Sequence, residues 1–467
     1  MIAPFPSSLR AVAAIAVAIA FLGCPPARGP TGGDRSPLAQ KWLDRTKASY
    51  AGVDLDDAWD AAKSAMQAAP ADIEVRTWAG RVALAKLDFG ETVRLLKGVN
   101  TTDAKGLRGR AKWYAGEIDQ AADELEAMLQ DPEVHDGWAK AIATLARRGA
   151  GRKPFHLSGG LLAVSEMPRL PNNTSFLVPL EIDGEQGLAM VATGTAEVTI
   201  DSASRKEPSW VSLRFAGRIE VKDVPAMVQD LSGVSRQMNV PIKALLGVNL
   251  LRHLNVTFDY IGSQFIVRTF APPVPPSATR IPIAYVKGGG MLMRSALSTD
   301  KGAPSASLLL DSSMSFPLAL DQNGWKKAGM EVSKLQPVPQ DNKLKQGMVP
   351  LLRLGAFDIP QVPGVYGTPI AEIEKGVEID IDGVVGSGLL AYFRVTLTDE
   401  GRAMWLEDVP QSPQNAPPPA SSGAQAAPSS SAAPASSAAP KPDKPAEKPQ
   451  KPKPRPKTPS DAPTSTP

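Results

Sequence analysis

Spacing of apolar residues divides the first third of this chain into segments. An unbroken apolar run covers residues 11–22, and a short Pro/Gly-rich stretch follows it. From about residue 38 to residue 150, small and large apolar side chains recur at helical spacing, with breaks near Pro70 and Pro132. This pattern predicts a helical domain over 38–150.

Shorter apolar segments bounded by Gly, Pro and Asn predict strands in the middle of the chain. Residues 149–174 form a connector, and a hairpin with its turn at Asp183-Gly184 opens the strand-rich part. A second hairpin is expected around the glycines at 288–290. Residues 411–467 are rich in Pro, Ala, Ser and Lys and poor in apolar residues, which predicts a disordered tail.

A repeat lies inside the strand-rich part. Residues 244–268 align with residues 383–407 without a gap when they are shifted by 139 positions. Upstream, residues 214–225 match 353–363 with one deletion. The identities in the longer alignment are Gly247/Gly386, Leu250/Leu389, Leu251/Leu390, Val256/Val395, Thr257/Thr396 and Gly262/Gly401. One supersecondary unit is therefore used twice.

Each copy also has an apolar strand that enters a short polar turn. These turns are Ala192-Thr193-Gly194 and Asp311-Ser312-Ser313, and an apolar-apolar-Gly segment follows each, ending at Gly247 and Gly386. This order resembles the retropepsin-like aspartic protease family. The resemblance implies a double-lobed all-β domain, with lobe 1 over 175–270 and lobe 2 over 278–408.

The resemblance also implies where catalysis would occur, and the residues at that place depart from the pattern that catalysis needs. Such an enzyme needs two carboxylates that share one proton, each in an Asp-Thr/Ser-Gly turn. Here Asp311 is the candidate catalytic acid, and its partner position is Ala192. Thr193, Gly194, Ser312 and Ser313 complete the two turns, but Ser313 stands where the pattern has glycine. A degenerate, non-catalytic site is expected.

Two routes could restore an acid pair. Two copies of the chain could bring Asp311 opposite Asp311, but the lobes would have to separate. Another acid could reach the cleft, although no pattern selects one. Asp201 and its equivalent Asp321 are interpreted as strand-end residues.

The helical domain resembles tetratricopeptide repeats, which offer a concave face to peptides. The segment from Ala115 to Pro132 has the inter-helix turn and closing proline, and Phe89-Gly90-Glu91 could begin the same element one repeat earlier. A plain helical bundle is the alternative.

The N-terminus resembles a bacterial lipoprotein signal. Residues 1–23 would be the signal peptide, residues 24–37 a tether, and Cys24, the only cysteine, the residue that receives acyl chains such as palmitate. An ordinary signal peptide with an incidental cysteine is the alternative. The expected location is the bacterial cell envelope, on the periplasmic or surface side of a membrane.

Charge and histidine content exclude several chemistries. The net charge is +3, and the tail holds seven Lys and Arg against three Asp and Glu, so the rest of the chain is nearly neutral. The tail could contact anionic cell wall or simply solubilise the protein. Three histidines lack metal-ligand spacing, and His253, whose repeat counterpart is Tyr392, is expected to be structural. No metal, cofactor or nucleic acid is expected.

The sequence thus predicts a lipid-anchored envelope protein with a helical domain followed by a double-lobed, degenerate acid-protease-like domain. It would bind an extended polypeptide or an envelope protein partner in the cleft between the lobes. The alternatives are an active aspartic endopeptidase that uses Asp311, and a structural envelope scaffold.

Overall fold

The computed structural model describes residues 35–408, except residues 172, 340, 375, 376 and 378. Helices occupy the N-terminal part of this range and a β-rich region follows. The predicted order of helices before strands is therefore confirmed. The signal peptide, Cys24, most of the tether and the tail at 411–467 lie outside the described residues.

Seven helices form the first domain, and six of them begin at a side-chain cap. Each cap is a Ser, Thr or Asp whose side chain accepts a backbone N–H of the first turn, which satisfies a donor that the helix itself leaves free. The helices are α1 (Pro37–Ala51), α2 (Leu55–Ala68), α3 (Ile73–Ala85), α4 (Phe89–Leu95), α5 (Thr102–Tyr114), α6 (Ile118–Leu129) and α7 (Gly137–Arg148).

Two consecutive helix pairs, α3/α4 and α5/α6, pack in the same way. A Cβ at Gly80 would lie 2.9 Å from Leu96 of the paired segment, and one at Gly109 would lie 2.6 Å from Leu125. Both crossings therefore need a residue without a side chain. The turns also match, because Leu87 and Gly116 occupy equivalent positions with φ of 58° and 81°.

The β-rich region opens with two strands that the sequence did not predict. Strands β1 (His156–Gly159) and β2 (Leu162–Glu166) lie in the segment interpreted as a connector. In β2 the larger apolar residues, Leu162 and Val164, are exposed and the buried positions hold Ala163 and Ser165, so the segment lacks the usual strand pattern of large apolar residues facing the core. β1 pairs with β7 (Ile219–Gln229) of lobe 1, and β2 pairs with β10 (Gln264–Arg268) at the edge of another sheet.

Lobe 1 is built on a seven-stranded sheet in the order β1-β7-β5-β8-β4-β3-β6, which closes through a further pairing of β6 with β7. A short helix, α8 (Ser232–Met238), precedes β8, and α9 (Val248–Leu251) follows it. The remaining strands are β3 (Leu177–Ile182), β4 (Glu185–Val191), β5 (Val198–Asp201), β6 (Ser209–Phe215), β7 (Ile219–Gln229) and β8 (Ala244–Leu246).

Lobe 2 has an eight-stranded sheet in the order β12-β13-β14-β19-β15-β18-β17-β16. Its strands are β12 (Ala284–Tyr285), β13 (Met291–Ser295), β14 (Ala306–Asp311), β15 (Leu318–Leu320), β16 (Gln336–Val338), β17 (Asp341–Leu354), β18 (Phe357–Tyr366) and β19 (Gly383–Gly386). Its helices are α10 (Gln322–Lys327), α11 (Ile370–Glu374), α12 (Ser387–Leu390) and two 3-10 turns, Val286–Gly288 and Val332–Lys334.

A six-stranded sheet, in the order β11-β21-β20-β9-β10-β2, joins the two lobes. Its strands outside the connector are β9 (Asn255–Asp259), β10 (Gln264–Arg268), β11 (Thr279–Ile281), β20 (Phe393–Thr398) and β21 (Ala403–Asp408). At its centre Thr257 pairs with Thr396, and their hydroxyl oxygens are 2.9 Å apart. These residues are one identical pair of the repeat, so the two copies meet about a pseudo-twofold axis here.

Candidate functional site

The two polar turns meet at the boundary between the lobes and hold each other through reciprocal hydrogen bonds. The Thr193 hydroxyl donates to the Leu310 carbonyl at 2.8 Å and accepts the Ser312 N–H at 3.0 Å. The Ser312 hydroxyl donates to the Val191 carbonyl at 2.8 Å and accepts the Thr193 N–H at 3.2 Å. Each hydroxyl thus braces the opposite lobe.

Asp311 is buried beside this contact, and its carboxylate is bonded to the backbone of both turns. Its Oδ1 accepts the Ser313 N–H at 2.9 Å and the Ser313 hydroxyl at 2.7 Å. Burial raises the pKa of the Asp311 carboxyl above its ordinary value, while hydrogen bonds from Ser313 and from the Gly194 N–H act in the opposite direction. Asp311 therefore has local backbone partners but no second acid in these turns.

Of the two glycine positions in the turns, Gly194 is retained and the other is occupied by Ser313. A Cβ at Gly194 would lie 2.6 Å from the Asp311 Cγ and Oδ2, so no side chain fits there. Ser313 and Ala192 are the counterparts of Gly194 and Asp311 in the two turns. We infer that the small methyl group of Ala192 leaves the room in which the Ser313 side chain fits.

Gly247 and Gly386 lie directly behind the turns, where the sequence placed them as supporting positions. Gly386 pairs with Asp311 across parallel strands, and Gly247 follows Leu246, which pairs with Val191. A Cβ at Gly247 would collide with the Glu197 carbonyl, and one at Gly386 with the Phe316 carbonyl. Both positions require close approach of two backbones.

Asp201 and Asp321 take no part in the arrangement of the turns. Asp201 Oδ1 accepts the Leu231 N–H at 3.1 Å. Asp321 caps α10, and its Oδ1 accepts the Gly324 N–H at 2.6 Å. Both carboxylates stabilise local backbone.

The sheet faces that carry the two turns are covered differently. Because side chains alternate along a strand, Leu309 lies on the same face as Asp311, and Met190 on the same face as Ala192. In lobe 1 this face packs under the lobe's own α8, in a cluster that contains Met190, Ala192 and Met238.

In lobe 2 the corresponding face packs with the helical domain. Leu309 and its cross-strand neighbours Leu292 and Val384 belong to one buried cluster with residues of three helices. The members of this cluster from the helical domain are Tyr50, Val53, Leu55, Ala58, Val82 and Ala85. The helical domain therefore covers the face of lobe 2 that carries Asp311, together with lobe 2's own Ile370, Ile379 and Ile381.

A buried polar network also fastens the helical domain to lobe 1. Glu197 accepts the Trp113 indole N–H at 3.1 Å and the Asn249 amide at 3.0 Å. Arg252 donates to the Asn249 side chain at 2.5 Å and to the Tyr114 carbonyl at 3.1 Å. Burial raises the pKa of Glu197, and the bonds from Asn249 and Trp113 and the charge of Arg252 counteract it.

The sequence analysis did not predict this network, although a comparison of the two copies of the repeat points to two of its residues. Asn249 and Arg252 have the small residues Gly388 and Ala391 as counterparts in the second copy. A polar residue in only one copy indicates a contact that only one lobe makes.

The described part of the chain lacks both a metal-ligand cluster and a membrane-spanning helix. In that part, no group of three or more His, Cys, Asp and Glu is arranged to hold a metal ion. Nor does any helix between residues 35 and 408, where described, have the length and hydropathy needed to cross a bilayer.

No family model and no curated protein matches this chain. Among solved structures, it is similar to an aspartic proteinase from Irpex lacteus, with 9% identity over 55% of this chain and 98% of that one, at a TM-score of 0.36. A retropepsin-like aspartic protease from Rickettsia conorii is similar over 28% of this chain and 90% of its own, with 15% identity and a TM-score of 0.21.

The helical part has a similar neighbour of its own. The TPR domain of Arabidopsis OM64 matches 24% of this chain and 95% of that one, with 16% identity and a TM-score of 0.22. The chain thus has a weak structural resemblance to aspartic protease folds and to a TPR domain. Similarities at this level do not show that it belongs to either family.

Proposed function

We propose that this chain is a bacterial envelope lipoprotein with a TPR-like helical domain and a double-lobed, retropepsin-like domain that has no proteolytic activity. Its role would be to bind a polypeptide or an envelope protein partner. The observation that carries the proposal is the pair of turns, which are interlocked through Thr193 and Ser312 but contain a single carboxylate, Asp311, whose counterpart in the other turn is Ala192.

Chemistry supports the absence of catalysis. A carboxylate pair hydrolyses peptides because one member acts as base while the other acts as acid. Asp311 alone lacks the second titratable group, and its Oδ1 is already held by two donors from Ser313. The helical domain, moreover, packs on the face of lobe 2 beside it.

A partner would accordingly bind on the outer surfaces of the helical domain and lobes, or in the part of the cleft nearer lobe 1. Lipidation at Cys24 would hold the protein at a membrane, and the basic tail could reach anionic cell wall. The proposals for Cys24 and the tail rest on the sequence alone.

The alternative of an active endopeptidase formed by two second lobes has a specific obstacle. Lobe separation would break the four hydrogen bonds between the turns and the pairing of β9 with β20. Both sets are buried at the centre of the molecule, so the dimer would lose much of the interface that holds the lobes together.

One experiment separates the three functions. The full chain and Asp311→Asn are mixed with a fluorescein-labelled unfolded protein from about pH 3 to about pH 7, the range in which carboxylate pairs work. The fluorescence anisotropy of the label reports binding, and the loss of fluorescein self-quenching reports hydrolysis. Asp300→Asn, a change at an exposed aspartate, is the matched control. We expect binding without hydrolysis, unchanged in Asp311→Asn.

Hydrolysis that Asp311→Asn abolishes and Asp300→Asn retains would establish the endopeptidase and overturn the proposal. A folded protein that neither binds nor cleaves the substrate would favour the scaffold.

A further inference from the structure

A pocket of about 250 Å³ opens where the helical domain, the segment after α7 and lobe 1 come together. Its lining residues are Tyr114, Ala115, Gly116, Arg152, Lys153, Pro154, Phe155 and His253. It lies outside the paired turns, and neither the sequence interpretation nor the proposed function uses it. Its volume is below the range of drug-sized ligand sites, which limits it to a small ligand or the end of a larger one.

The charge around this pocket is positive. Arg152 and Lys153 are exposed among the lining residues, and none of the eight is acidic. Arg152 forms an ion pair with Asp223, which offsets its charge. Asp223 does not offset the charge of Lys153. An anion at this position would meet a cation without a competing carboxylate in the pocket wall.

A buried arginine lies directly behind one wall. Arg252 is 3% exposed and donates to the carbonyl of Tyr114, itself a lining residue. Its guanidinium lies 4.8 Å from the Tyr114 ring and 5.0 Å from the Phe89 ring. No ion pair with a carboxylate forms at Arg252 within the described residues, which is unusual for so deeply buried a charge.

One nitrogen atom of each of two consecutive residues here lacks a hydrogen-bond partner within the described residues. Nη1 of Arg252 and Nε2 of His253 are both buried and unpartnered within the described residues. Burial, with a contribution from Arg252, lowers the pKa of His253 to about 3, so its ring is neutral at physiological pH. Buried polar atoms nearly always have partners, so a ligand or an ordered water is expected near them.

The other walls are apolar and rigid. The Phe155 ring stacks on His253 with centroids 4.2 Å apart, and Phe155 adopts a positive φ of 56°. Its N–H is bonded to the Asp223 carbonyl at 3.2 Å, which helps to hold this strained backbone. The pocket thus offers an aromatic surface beside a cationic rim.

We propose that this pocket binds a small carboxylate carried on an apolar body. The carboxylate would lie at the rim near Lys153 and Arg152, with Arg252 buried behind the wall, and the body would pack on Phe155, Pro154 and Tyr114. Two sources share this chemistry: a free organic acid and the C-terminal residue of a polypeptide. The proposal is independent of the function proposed for the lobes.

Calorimetric titration of the full chain tests it with three probes. They are N-acetyl-phenylalanine, its C-terminal amide, and the tripeptide acetyl-Ala-Ala-Phe with a free carboxylate. We expect the acid to bind about tenfold or more tightly than the amide, because charge-assisted hydrogen bonds are lost in the amide. A tripeptide that binds as well as the acid points to a polypeptide C-terminus, and one that does not bind points to a free acid.

Three variants locate the binding. Lys153→Gln should weaken binding of the acid several-fold with little effect on binding of the amide. Lys206→Gln, which changes an exposed lysine elsewhere on lobe 1, should alter neither affinity. Ala115→Trp fills the mouth from an exposed position and should abolish binding while the thermal unfolding midpoint stays unchanged.

Several results would overturn the proposal. These are equal affinity for acid and amide, binding that survives Ala115→Trp, and no binding of either the acid or the tripeptide at millimolar concentration.

Discussion

The two lobes share their parts but differ in what covers them. In lobe 1 the face beside Ala192 packs under α8, a helix of the same lobe. In lobe 2 the face beside Asp311 packs with helices from a domain more than two hundred residues earlier in the chain. Lobe 1 thus completes this part of its core by itself, whereas in lobe 2 the helical domain and the lobe's own Ile370, Ile379 and Ile381 complete it together.

This difference bears on the site, because the lobe that keeps a carboxylate is also the lobe whose face is covered in part by another domain. Two copies of one repeat can therefore be covered by different parts of the chain. Four sets of variants test this difference between the lobes, from the largest expected effect on stability to the smallest.

The largest effect is expected for Tyr50→Ala, compared with Met238→Ala. Tyr50 is 2% exposed and packs edge-on to Trp78, so its truncation should cost about 4 kcal/mol, and that of Met238 about 3 kcal/mol. Hydrogen exchange locates the damage. Tyr50→Ala should raise exchange in β14 and β19, and Met238→Ala in β4 and β8. Increased exchange in β4 and β8 for both variants would contradict the difference between the lobes.

A second comparison exchanges the residues of the two turns. Ala192→Asp places a second carboxylate in a buried site near Asp311, and we expect a loss of about 3 kcal/mol in the free energy of unfolding. Adding Ser313→Gly should recover about 1 kcal/mol, because it removes the side chain opposite position 192. Urea unfolding of the two single variants and the double variant measures this coupling. Strictly additive losses would show that positions 192 and 313 do not face each other.

A third comparison concerns the reciprocal hydrogen bonds. Thr193→Val and Ser312→Ala each leave one backbone carbonyl and one backbone N–H without a partner, so each should cost about 2 kcal/mol. Urea unfolding should give similar losses. A much larger loss of unfolding free energy for one variant would mean that the two turns contribute unequally to stability.

The smallest effect is a pH dependence at Asp311. Burial raises the pKa of this carboxyl in the folded protein, so folding favours its protonated form. Wild-type stability should fall as pH rises from the ordinary carboxyl range through the raised pKa, and Asp311→Asn should lack this fall. Urea unfolding of both proteins, with Asp300→Asn as control, should show the variant gaining on the wild type as pH increases. A constant difference would contradict the raised pKa.

Sequence patterns predicted the helical domain because apolar spacing is a local property, and the helix caps, which that prediction did not use, are local as well. Asp72, Asp88 and Asp136 each stand directly before a helix and accept a backbone N–H of its first turn. The repeat likewise predicted two copies of one unit. It could not predict that Thr257 would pair with Thr396, because identity between two segments does not specify how they meet.

Other features depend on tertiary contacts that leave little trace in the sequence. β2 has exposed Leu162 and Val164 in a segment otherwise typical of a connector, and it becomes a strand because β10 pairs with it. The packing of Tyr50 and Val82 on lobe 2 could not be predicted either, since an apolar helix face does not identify its partner.

The six-stranded sheet has a consequence for the order in which the chain can fold. It takes strands from residues 162–166, 255–268, 279–281 and 393–408, so its contacts join parts of the chain that are far apart in sequence. Closing such long loops slows folding, while the helices need only neighbouring residues. During synthesis the helical domain can form early, but the centre of the sheet, where β9 meets β20, must wait for nearly the last described strand.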